Sequence, residues 1–124
     1  MWNYTDWDSV EAHMEFSKAP QYPSFVNGVM EYAASAPSIF HAYLKPFPPS
    51  EVLKAHTIEI ISLDLKNSTQ GSEAALQIEK FIGKVSKEPG YRAHSQARKH
   101  EDESVHVILV GWDSPEVRHL FWDI

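Results

Sequence analysis

Apolar residues recur at two periods along this chain, and each change of period marks an element. Across 73–87, Ala74, Ala75, Ile78, Phe81, Ile82 and Val85 fall at helical spacing, which predicts an amphipathic helix stopped by Pro89-Gly90. Across 55–65 the period is two. Thr57, Glu59, Ile61, Leu63 and Leu65 share one face of a strand, and His56, Ile58, Ile60, Ser62 and Asp64 the other. Residues 105–110 read as a buried strand and 91–98 as a polar strand suited to a sheet edge. A further strand is expected at 38–47, with Ile39, His41 and Tyr43 on one side; Pro46, Pro48 and Pro49 then force an extended loop. Two helices are expected before it, at 8–18 and 24–35, separated by Pro20 and Pro23 and ended by Pro37. Asp8 is placed to cap the first, with Glu11 completing a capping box. Ser72 is placed to cap the helix at 73–87, after a polar turn at 67–72.

The segment Trp7-Asp8-Ser9-Val10-Glu11 has an echo in Trp112-Asp113-Ser114-Pro115-Glu116, and both copies open a helical pattern. The order is therefore α-β-β-α-β-β followed by a helical tail at 113–124. Joined into a ring, that order becomes β-α-β-β-α-β. The expected fold is α+β: a ferredoxin-like, four-stranded antiparallel sheet with two helices on one face, in circularly permuted order. The strand at 38–47 should then pair with the strand at 55–65. Both faces of the sheet carry large apolar residues, so a second copy of the chain is expected to seal the face without helices. The tail, with Val117, Leu120, Phe121 and Trp122, is expected to clasp that second copy.

Composition narrows the function. A chain of 124 residues reads as one domain, 1–124. The net charge of −6 and the lack of a Lys/Arg cluster interleaved with aromatics argue against nucleic acid. Cysteine is absent, so disulfides, thiolate ligands and catalytic thiols are excluded. No apolar run reaches the ~20 residues of a membrane span, and the first residues do not read as a signal peptide, so a cytoplasmic protein is expected. The histidines lack H-E-x-x-H spacing, the glycines are isolated, and no G-x-S-x-G is present. Neither a metal site, a phosphate loop nor a serine nucleophile is predicted, and no cofactor is expected.

The two Trp-Asp-Ser segments, each at a strand-to-helix junction, resemble the dimeric α+β barrel superfamily. That group holds antibiotic-biosynthesis monooxygenase-like domains, stress-responsive barrel proteins and small polyketide cyclases. The chain also resembles uncharacterised fungal proteins with tandem barrel repeats, as the back half of one repeat joined to the front half of the next. The resemblance implies a homodimer with a barrel pocket for a hydrophobic small molecule. It places Glu59, Ile61 and Leu63, His106, Ile108 and Val110, and Ile39, His41 and Tyr43 on pocket-facing sides of their strands, leaving Ile58 and Ile60 under the helices. Phe16, Tyr22 and Phe25 would add to the pocket from the helices. In a plant polyketide cyclase of the superfamily a Tyr and a His do the acid–base work; the matching positions here are Phe16 and Tyr22, so that pair is not carried over.

The candidate catalytic residues are thus His41, His106, Glu59 and Tyr22, with Phe16, Phe25, Ile39, Tyr43, Ile61, Leu63 and Ile108 as substrate contacts. An imidazole on an interior strand face serves either as general acid or base near neutral pH or as a satisfied core group. Glu59 among isoleucines would orient a histidine, act as a base, or make a salt bridge. His13 is expected in a helix-surface or interface role. Three functions fit. The first is a cofactor-free enzyme that cyclises, dehydrates or isomerises a polyketide- or terpenoid-like intermediate. The second is a cofactor-free monooxygenase of a quinol- or anthrone-like substrate, and the third a non-catalytic ligand-binding or stress-related dimer.

Overall fold

The computed structural model describes residues 2–65 and 72–116, and the chain divides into two compact units, 1–41 and 42–124. The architecture is α+β: among the described residues, four helices and one open, three-stranded antiparallel sheet. The expected turn at 67–72 lies mostly outside the described residues, and so do Val117, Leu120, Phe121 and Trp122 of the expected clasp.

The first unit holds α1 (Val10–Ser17) and α2 (Tyr22–Met30). Helix α1 starts one residue later than the capping-box reading required. Ser9, in extended backbone, is the N-cap, and its Oγ accepts the Ala12 N–H at 3.0 Å. The third helical position is therefore Ala12 and not Glu11, so no capping box forms. A turn through Pro20 leads into α2, with Tyr22 N–H bonding the Ala19 carbonyl and Phe25 N–H that of Gln21. Neither helix contains a buried residue.

The second unit is built on β1 (Thr57–Asp64), α4 (Ser72–Val85), β2 (Tyr91–Arg98) and β3 (Val105–Trp112), preceded by a short α3 (Ser50–Leu53). The sheet order is β1-β3-β2, with both outer strands antiparallel to β3. So β1 and β2 are parallel, α4 makes the crossover between them, and β3 is inserted in the middle. All eight residues of β3 are buried, as its central place demands.

Helix α4 sets the faces of the sheet. Its Ile78, Phe81, Ile82 and Val85 pack with Ile61, Leu63, Ile108, Val110 and Trp112. Cross-strand register gives one shared face, since Glu59 lies opposite Val110, Ile61 opposite Ile108 and Leu63 opposite His106. The expected faces are therefore exchanged: the row expected to line a pocket lies under the helix, and Ile58 is 39% exposed on the reverse side. On that reverse side α3 packs against β2 and β3, burying Val52, and Leu44 and Pro49 are buried as well. Gly111 is required there, because a Cβ on it would lie 2.8 Å from the Ala55 Cβ.

The strand expected at 38–47 is reduced to two isolated bridges, Ala42 with Lys99 and Lys45 with Gln96. Both have one register, and they place this segment against β2 rather than against β1 as expected. Ser95, fully buried, holds it there by donating its Oγ hydrogen to the Pro46 carbonyl at 2.9 Å.

Candidate acid–base site

Within the first unit, α1 presents His13 to His41, 28 residues further on. The His13 Nδ1 and His41 Nε2 atoms are 2.6 Å apart, with ring planes inclined at 62°. A contact that short requires one nitrogen to carry a proton and the other a lone pair. Two cationic rings cannot form it. Trp7 lies flat over His13, centroids 4.3 Å apart and planes 15° from parallel. Burial lowers the pKa of His13 first, and the neighbouring His41 lowers it further, so His13 stays neutral at physiological pH.

Local sequence accounts for the arrangement. With Ser9 as cap, His13 is the fourth helical residue and Trp7 stands two residues before the cap. An aromatic just ahead of a cap folds back over the fourth helical position, much as a hydrophobic staple does. The Trp7 ring also meets Phe16 at 5.5 Å, and Phe16 in turn meets Tyr22 and Phe25 edge-on, each at 5.5 Å. A continuous row of rings therefore runs from His41 through His13, Trp7 and Phe16 to Tyr22 and Phe25. It is only half-covered, and Phe25 is 55% exposed.

Of the residues proposed from sequence, His41, Tyr22, Phe16 and Phe25 come together in this unit, joined by His13, for which a helix-surface or interface role is expected from sequence. Its signal was present in the Trp7-to-His13 spacing. Ile39, in the same unit, is 59% exposed. The remainder belong to the second unit and do not form one cavity there. Glu59 and His106 sit on the same sheet face, opposite Val110 and Leu63, which separates them by roughly 13 Å along the strands at 3.3 Å per residue. Ile108 is fully buried, and Ile61 and Leu63 pack against the same cluster, so these three form core contacts under α4. Tyr43 lies at the sheet edge and meets His100 edge-on.

His106 is 9% exposed, and its Nε2 is 2.8 Å from Gln96 Oε1. A carbonyl oxygen only accepts, so Nε2 carries the proton of the neutral ring. Its Nδ1 is buried without a hydrogen-bond partner among the described residues. Burial lowers the pKa of His106, and the positive charge of Arg98 lowers it further. The Tyr91 hydroxyl and His94 Nδ1 are hydrogen-bonded at 2.7 Å, and burial also holds His94 below its ordinary pKa.

Among the described residues, no three His, Asp or Glu side chains gather as a metal ion would require, and no helix is long and apolar enough to cross a membrane. Set against protein-family models, curated proteins and solved structures, the chain matches none of them.

Proposed function

We propose that this protein is a small-molecule enzyme that moves protons with the His13–His41 pair, on an apolar, ring-bearing substrate held by Trp7, Phe16, Tyr22 and Phe25. The observation that carries this reading is the 2.6 Å contact between His13 Nδ1 and His41 Nε2 beside a half-covered row of aromatic rings. In a neutral pair, the inner proton makes one ring the donor. Its outer nitrogen is then a base, and the outer nitrogen of the other ring carries a proton. Abstracting a C–H proton at the basic end and returning one to a carbonyl oxygen at the acidic end shifts the inner proton across. The substrate is enolised with no net gain or loss of protons. Such a step serves cyclisation, dehydration or isomerisation, and it requires only the imidazoles.

The proposed working form is a homodimer of barrel type. The β1–α4–β2 crossover with β3 inserted is compatible with one half of a ferredoxin-like plan, and helices α1 and α2, which hold no fully buried residue, carry Phe25, Val29 and Met30 exposed. Apolar surface of that kind calls for a partner.

The test is deuterium exchange from D2O into a panel of aromatic 1,3-diketones, followed by proton NMR. The wild-type protein should accelerate exchange, and His13→Ala or His41→Ala should slow it by roughly 10²–10⁴. No acceleration by the wild type, or wild-type rates in both variants, overturns the proposal.

A further inference from the structure

A second feature stands apart from the histidine pair, at the outer edge of the sheet in the second unit. The bridges Ala42–Lys99 and Lys45–Gln96 share one register, which sets Tyr43 across from Arg98. Side chains that face each other across an antiparallel pair point to one side of the sheet. Lys45 with Gln96, Tyr43 with Arg98, and Arg98 with His106 therefore all stand on one face. They line an open groove of about 380 Å³, together with His100.

The charge in this groove is unbalanced. The whole chain carries −6, yet the groove holds the cations of Lys45 and Arg98 beside two histidines. Among the described residues, neither Lys45 nor Arg98 makes an ion pair. Glu103 reaches the rim, but it is its backbone carbonyl that accepts from Arg98 Nη1, at 3.4 Å. The guanidinium is thereby positioned without being neutralised. Lys99 also lines the groove. The field of Arg98 extends inward, where it disfavours protonation of His106. One wall is aromatic: Tyr43 is 55% exposed, and its ring meets His100 at 6.0 Å.

We infer that this groove binds the oxyanion of a small aromatic molecule, its carboxylate or phosphate between Arg98 and Lys45 and its ring against Tyr43. A guanidinium fork matches either oxyanion bidentately, and a lysine ammonium adds a second charge. The ring contact supplies apolar burial that an inorganic ion lacks.

The experiment is titration of the full chain with benzoate, phenyl phosphate and inorganic phosphate, read by calorimetry and by the ring NMR signals of His100 and His106. Benzoate or phenyl phosphate should saturate and shift both histidines, and binding should weaken as NaCl is raised. Arg98→Gln and Lys45→Gln should each weaken binding at least about tenfold, the loss of one charge-assisted contact. Tyr43→Leu should weaken the aromatic ligands and leave inorganic phosphate unchanged. Lys54→Gln, beside Glu51 on α3, should change nothing. Lys45→Gln stands in if Arg98→Gln loses its circular-dichroism spectrum. Inorganic phosphate binding as tightly as phenyl phosphate would overturn the aromatic assignment. Absence of saturation, or saturation indifferent to both charge variants, would overturn the site.

Discussion

Gly111→Ala tests the packing of α3 on the sheet. The added Cβ would lie 2.8 Å from the Ala55 Cβ and 3.4 Å from both the Cα and the carbonyl oxygen of Val52. The Ala55 methyl has no rotamer through which to move aside, so the backbone around α3 must shift. Overpacking of this kind costs about 1–3 kcal/mol. Against it stands the lower conformational freedom that alanine gives the unfolded chain, worth about 0.4–1 kcal/mol in the opposite sense. The clash wins, and the expected net loss is about 1–2 kcal/mol. In urea, with a slope of about 1–2 kcal/mol per M for a chain this size, the midpoint should fall by roughly 1 M at unchanged slope. The double variant Gly111→Ala/Ala55→Gly removes the 2.8 Å contact and leaves those at 3.4 Å. It should show a favourable coupling of about 1 kcal/mol relative to the two single variants. A single Gly111→Ala variant as stable as the wild type, with no coupling, would show that α3 does not pack on Gly111 as described.

The face assignment has its own check: Ile108→Ala should lose about 2–5 kcal/mol in urea unfolding, while Ile58→Ala, 39% exposed, should lose far less; similar losses would contradict the helix-covered face. Stability should fall as pH drops from about 8 to about 5. His13, His94 and His106 all have lowered pKa values when folded, so the unfolded chain binds more protons around its ordinary histidine pKa of about 6.5, and folding is weakened on the acid side. Thermal melts that strengthen on acidification would refute that sign. Trp7→Ala should raise the His13 pKa toward the ordinary value, because the stacked indole helps keep water from the ring; an unchanged NMR titration would remove Trp7 from the site. Ser9→Ala should cost about 0.5–2 kcal/mol and Asp8→Ala much less, which thermal melts of the two variants would distinguish.

The alternation in 57–64, the helical period in 72–85 and the polar run in 91–98 were enough to place β1, α4 and β2 within a few residues. These patterns are local: burial on one side of an element imposes its period on the sequence. Phe16, Tyr22 and Phe25 likewise read as one neighbourhood, because they lie within ten positions of one another on two adjoining helices. Which face of the sheet meets α4 was not legible. Strand β3 is apolar on both sides, so Ile58 and Ile60 were as eligible for the core as Ile61 and Leu63, and only the α4 crossover decided between them. The place of 42–45 beside β2 depends on a buried serine and two long-range bridges, neither of which leaves a periodic mark. The same holds for the histidines. His41 could be read as lying on an interior strand face, but its partner is set by how the chain returns to α1 after 28 residues, and that distance is spanned only by tertiary structure.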